Sequence, residues 1–210
     1  MDITNSNLIL EACVDSLADA LAAEKRGAKR IELCSALDHD GLSPSIELTR
    51  LCVEQLSIPV MAMVRPRGGD FVYAEPEIRQ MESEIEFFKN SGVAGVVYGL
   101  LTKAGTIDLK NTRRLVKLSS PMEVTFHKAI DYSVDVFKSF QELNEIDGIT
   151  RVLTSGGKDT AWNGREMLKA MNELPERKIR IIAAGKLLPE NQIQIAAYTG
   201  ITELHGKRIV

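Results

Sequence analysis

Residues 8–27 read LILEACVDSLADALAAEKRG, a short apolar run followed at once by a helical pattern. Ser16 stands where a helix N-cap belongs, and Gly27 where the left-handed residue past a helix end belongs. The turn between them, CVDSLA, lacks the G-x-G-x-x-G that opens a dinucleotide-binding doubly wound sheet. RIELCS (30–35) then starts a second apolar run. This strand–helix–strand unit without a glycine fingerprint favours a closed parallel barrel over an open sheet.

The unit recurs. Further runs are PVMAMVRP (59–66), AGVVYG (94–99), EVTFHKA (123–129), RVLTSGG (151–157), RIIAAGK (180–186) and ITELHGK (201–207). Eight runs at intervals of roughly 20 to 35 residues have the spacing of strand–helix units, not of hairpins. Between them, Pro44 and Pro76 lie near helix starts, Asp108 can cap LKNTRRLVKLS, Asp159 or Thr160 precedes AWNGREMLKAMNE, and Pro189 opens ENQIQIAAYTG. The expected fold is an α/β parallel (β/α)8 TIM barrel forming one domain over residues 1–210. Only Arg208, Ile209 and Val210 follow the eighth run's last lysine, too few for an eighth helix. The groove that helix would cover is expected to be apolar and covered by another subunit or by the segment before Leu8.

Composition narrows the function. The 210 residues are 44% hydrophobic and 26% charged, with 26 basic against 29 acidic side chains and a net charge of −3. That balance argues against nucleic acid as a partner, and no run is long enough to span a bilayer. The N-terminus lacks the basic and apolar regions of a signal peptide, so a cytoplasmic protein is expected. Cys13, Cys34 and Cys52 form no C-x-x-C pair and are expected as free thiols.

Strand side chains alternate between faces, so Glu11 and Cys13 share one face, as do Glu32 and Cys34. The third run adds Met61, Met63 and Arg65, with Arg67 in the PRGGD that follows. The fifth adds Thr125 and His127 with Asp131 beyond, and the eighth adds Glu203 and His205. Active sites of this fold lie at the C-terminal strand ends. Buried carboxylates need partners, and Arg65, Arg67, a histidine or Lys207 can serve. One reading is a salt-bridged structural plug; a ligand or catalytic site accounts better for polar groups on so many strands.

Three chemistries emerge. Cys13 and Cys34 hold corresponding positions on neighbouring strands, and two thiolates with Met61 or Met63 suit Cu(I), although both can equally be core packing. Cys52, within a helical stretch, fits a small hydrophobe. As an enzyme, the chain would hold a small anionic or hydroxylated metabolite with Arg65 and Arg67. His127 with Asp131 would move a proton, and Glu11 or Glu32 would supply a second acid–base group. The loops after strands six to eight, with Ser155, Gly156, Gly157, Lys186, His205 and Lys207, are the third feature, because barrels often hold phosphate there. His39, in DHDGLSP, is expected in solvent.

The ordered blocks EACVDS, RIELCSALDHDGLSPS, PVMAMVRPRGGDFVY, VTFHKAID, RVLTSGG and ELHG, from residue 11 to 206, resemble the CutC family of copper homeostasis proteins. Lys128 stands where the usual family form has arginine, and where its usual ending is a His-Ser-Ser run, His205 is followed here by Gly206-Lys207-Arg208. The resemblance implies a parallel barrel, a cytoplasmic location, homodimers or homotetramers, and a Cu(I) site at Cys13 and Cys34.

Overall fold

The structure, a computed structural model, describes residues 7–210. Its eight strands are β1 (Ile9–Val14), β2 (Arg30–Leu33), β3 (Val60–Met63), β4 (Gly95–Tyr98), β5 (Glu123–Phe126), β6 (Arg151–Thr154), β7 (Arg180–Ala183) and β8 (Glu203–Gly206). Every neighbouring pair is parallel, and β8 pairs back onto β1, closing the barrel. Seven α-helices surround it among the described residues: α1 (Leu17–Lys25), α2 (Ile46–Gln55), α3 (Glu75–Ser91), α4 (Leu109–Ser119), α5 (Val136–Asn144), α6 (Arg165–Asn172) and α7 (Gln192–Thr199). This is a TIM barrel short of one helix.

Local chemistry sets the helix ends. The side chains of Ser16, Ser45, Asp108 and Asp135 each accept a hydrogen bond from a backbone N–H in the first turn of the helix they cap. Two helices start later than Thr160 and Pro189 suggest. α6 begins only after Gly164, whose missing Cβ lets it lie against the Ser155 carbonyl. α7 begins after Asn191, whose side chain instead accepts from the Leu188 N–H.

Outward strand residues such as Ala12, Ile31, Leu33, Val96, Tyr98, Phe126 and Val152 pack against Ile78, Met81, Ile85, Phe88, Leu115, Phe140 and Leu168 of the helices. Cys52 is buried in this layer, as expected of a small hydrophobe. Where an eighth helix would lie, Ile209 is buried in the core and its carbonyl accepts from Gln192 of α7. Most of the segment before Leu8, residues 1–6, lies outside the described residues.

The interior differs at its two ends. At the N-terminal end, Arg30 pairs with Glu11 and Glu203, Arg151 with Glu203 and Glu123, and Arg180 with both Glu123 and Glu203. Three acids and three arginines close this floor with no net charge. The expected partners Arg65, Arg67 and Lys207 take no part in it, because they lie beyond the other end of the strands. Above the floor, Cys13, Cys34, Met61, Met63 and Val97 form a separate apolar cluster. Gly95 makes room for it, since a Cβ there would fall 2.2 Å from the Met61 methyl.

Candidate metal and ligand site

The barrel's stagger decides what meets at the C-terminal end. β1 and β2 pair with Glu11 opposite Arg30 and Cys13 opposite Glu32. The two Glu-x-Cys copies are thus offset by one pleat rather than side by side, as strand tilt in a closed barrel requires. Glu11 falls to the level of the arginine floor, while Glu32 rises to the level of the thiols.

Cys13 Sγ lies 3.8 Å from Cys34 Sγ, which in turn lies 3.6 Å from Glu32 Oε2. His205 crosses from β8, with Nδ1 2.9 Å from Glu11 Oε1 and Nε2 3.7 Å from Glu32 Oε2. Ligand atoms of Cys13, Glu32 and His205 lie within 4.8 Å of one another, a candidate metal-binding triad.

Electrostatics separates the two glutamates. Burial pushes Glu11 up, but its bonds to His205 and Arg30 outweigh that and hold it at about 2. Glu32 is raised by burial, which the His205 charge only partly offsets. Burial alone would lower His205, yet Glu32, Cys13 and Glu11 together hold it well above the ordinary imidazole range. The bond to Cys34 and then burial push the Cys13 thiol well up. For Cys34 the contact with Cys13 works downward, but burial and Glu32 prevail and raise it to about 11. Both sulfurs therefore carry protons at neutral pH, even with the His205 ring beside Cys13.

Above this cluster a cavity of about 690 Å³ opens, with Cys13, Glu32, Met63, Arg65, Phe71, His127, His205 and Lys207 among its walls. Arg65 is buried, yet no carboxylate meets it among the described residues. Its terminal nitrogens donate to the carbonyls of His39, Asp40, Gly41 and Gly69, and its guanidinium lies 5.0 Å from the centre of the Phe71 ring. His127 makes an edge-on approach to the same ring with centroids 5.0 Å apart. Gly99 on the neighbouring strand end permits this placement, because a Cβ there would lie 2.4 Å from His127 Nδ1. His127 Nδ1 accepts from the Ala129 N–H, and burial with the nearby Arg65 charge pushes the ring down to about 3. It is a neutral imidazole.

Several expected site residues lie apart from this space. Asp131 does not serve His127. Its carboxylate accepts from Thr154 Oγ1 and from the N–H groups of Ser155 (2.9 Å) and Gly157 (2.8 Å). An internal carboxylate thereby fills the amide-lined turn read as a phosphate loop. Arg67 turns away to Glu77 and Asp70 and stacks over Tyr73. Lys186 is exposed, 3.9 Å from Asp159. His39 is exposed as expected, although its carbonyl supports Arg65.

Sequence reasoning overlooked two components. Arg30, Arg151 and Arg180 share the inward parity of Glu32, Leu153 and Ile182, which would have flagged them had the N-terminal strand ends been weighed equally. Phe71, next to PRGGD, carried no periodic signal.

A closed (β/α)8 barrel with a buried Cys–Glu–His group beneath an open cavity defines a barrel protein with a candidate metal or ligand site at its C-terminal strand ends. The chain belongs to the CutC family, whose family model matches residues 8–210. A family protein CutC of Treponema denticola is 39% identical over 199 residues, covering 95% of this chain and 80% of that protein. The human copper homeostasis protein cutC homolog is 38% identical over 200 residues, covering 95% of this chain and 73% of its own length. A crystal structure of CutC from Streptococcus agalactiae superposes with a TM-score of 0.91 at 31% identity, covering 97% of this chain and all of that one. Among the described residues, no helix is long and apolar enough to cross a membrane.

Proposed function

We propose that the chain binds Cu(I) through Cys13 and Cys34 in the cytoplasm, where thiols stay reduced. The supporting observation is the 3.8 Å contact between the two sulfurs, with Met61 and Met63 packed against them. Soft sulfur donors suit a soft monovalent ion, and at metal–sulfur bonds of about 2.3 Å a pair so spaced can share one ion. Bound there, the ion would be held as a thiolate complex. Cys13 and Cys34 would first give up their protons, and the Glu32 carboxylate, 3.6 Å from Cys34, is placed to receive one. The name of the human relative, a copper homeostasis protein homolog, points the same way.

Anaerobic Cu(I) titration against a competing chelator tests this reading. The Cys13→Ser/Cys34→Ser double variant should lose most of the affinity, and unchanged affinity removes the proposal. The reading also carries association into a dimer or tetramer. Leu21 on α1 and Ile193 on α7, the helices flanking the gap in the helical ring, remain exposed. Sedimentation at micromolar concentration checks this, and a monomer would end it.

A second reading is favoured by the cavity. Its volume of about 690 Å³ suits a small metabolite, which copper binding alone does not require. On this reading the barrel takes a small anionic or hydroxylated molecule, with Glu32 and His205 the acid–base pair nearest its floor. A thermal-shift screen of such metabolites tests it, since a ligand of the native state raises the melting temperature by mass action.

A further inference from the structure

Among the described residues, few buried side-chain nitrogens or oxygens lack a hydrogen-bond partner, and two of these belong to residues that line the cavity. They are Arg65 Nε and His127 Nε2. Both are donors. An arginine Nε always carries hydrogen, and His127 Nδ1 accepts from Ala129, which leaves the imidazole proton on Nε2. The two residues flank the same Phe71 ring.

The surrounding charge points the same way. Arg65 is buried against neutral carbonyls and the Phe71 ring, and among the described residues its positive charge meets no carboxylate. Lys103, Lys128 and Lys207 also border the cavity, against Glu32, Asp40 and Asp70. Of these groups, Asp70 pairs with Arg67, Lys128 with Asp131, and Glu32 lies at the floor with Cys34 and His205. Buried donors without acceptors are costly, and a charged one especially so.

We propose that the cavity binds a small molecule through a carboxylate, one oxygen taking the Arg65 Nε–H and the other the His127 Nε2–H. This rests on the reading of the cavity as a ligand site and names its substrate class. Two donors match the two oxygens of a carboxylate. A phosphate would need more, and the amide turn that could supply them is filled by Asp131. The remaining wall, with Leu37, Met63, Phe71, Val72, Leu101 and Leu153, takes an apolar body. Such a ligand points its far end at Cys13, Glu32 and His205, so carboxylate and metal sites share one cavity without sharing residues.

The test is an NMR titration of the full chain, following the His127 ring Nε2–H. Butyrate and benzoate are the probes, butyramide and benzamide their neutral matches, and inorganic phosphate the competing anion. The carboxylates should bind saturably at millimolar concentration and move the Nε2–H resonance, with the amides about ten-fold weaker, as expected for loss of a charge-assisted bond. His127→Phe, which keeps the ring against Phe71, and Arg65→Lys, which keeps a charge for the carbonyl cradle, should each weaken binding about ten-fold. For these variants the probes are followed by ligand-detected NMR, and circular dichroism confirms folding. Lys186→Gln, off the cavity, should bind as wild type.

Equal affinity of acids and amides would overturn the carboxylate assignment while leaving the cavity a ligand site. Phosphate displacing benzoate at equal concentration would also overturn it. Silence from every probe up to tens of millimolar would overturn both the assignment and the ligand-site reading.

Discussion

The barrel buries polar groups at both ends, and the two ends treat them differently. On the floor, Glu11, Glu123 and Glu203 meet Arg30, Arg151 and Arg180 in a network where every charge has an opposite. At the mouth, a buried arginine sits among carbonyls, a neutral histidine holds out an unused N–H, and two thiols crowd a carboxylate. Burial and polarity alone therefore do not mark a site. Satisfied groups hold the barrel together, while groups left short of acceptors or counter-ions are poised for something from outside.

The largest expected effect comes from breaking the floor. Glu203 meets all three arginines, and Glu203→Gln would leave Arg30 and Arg151 buried with less than their due of negative charge. A loss of about 3–5 kcal/mol in urea unfolding is expected, as for breaking a buried ion pair. Cys13→Ser at the mouth should cost clearly less. Equal losses would mean that the mouth too is structural.

Next comes the proton linkage of copper. Cys34 is raised to about 11 and Cys13 is raised as well, so both thiols are protonated near neutrality and must lose protons to become ligands. Apparent Cu(I) affinity should rise with pH, about ten-fold per unit for each thiol proton released. A flat profile across the neutral range would show that the thiols are not the ligands.

Acid tests the residue that joins the two ends. Glu11 accepts from Arg30 below and contacts His205 above, and its folded value of about 2 lies below the ordinary 4.5. A depressed carboxylate contributes stability that is complete above the unfolded value and is lost as pH falls through the folded one. Wild-type stability should drop between these values, and Glu11→Gln should be less stable at neutral pH but show a shallower acid slope. Parallel curves for the two proteins would separate Glu11 from the acid response.

Much of this was legible in the sequence. The recurring strand–helix spacing and the turn at Val14–Ser16 without glycines give the barrel, and side-chain parity puts Glu11, Cys13, Glu32 and Cys34 inside it. Stagger was not legible. Side-by-side Glu-x-Cys pairs would have given the two glutamates one environment, and only the Cys13–Glu32 register separates an ionised Glu11 from a raised Glu32. Nor does spacing say whom a side chain chooses. His127 and Asp131 stand four residues apart, yet the short helical turn at Lys128–Tyr132 carries Asp131 to the amides after β6. Arg67 follows Arg65 by two, but it lies past the strand end, where Glu77 is nearer than the cavity.

The smallest expected effect sharpens the rule. Thr125 faces the interior between floor and mouth, fully buried, and its hydroxyl has no partner among the described residues. Unlike His127, it is not among the residues lining the cavity, so its unused group has no ligand to wait for. Thr125→Val keeps the branched shape and removes the unsatisfied hydroxyl. The variant should be unchanged or more stable by about 1 kcal/mol, raising the melting temperature by about 2–4 °C in a chain of this size. Ligand binding at the mouth should not change. A destabilised Thr125→Val would mean that the hydroxyl is satisfied by buried water, placing Thr125 with the floor and leaving the open donors of Arg65 and His127 as the mark of the mouth.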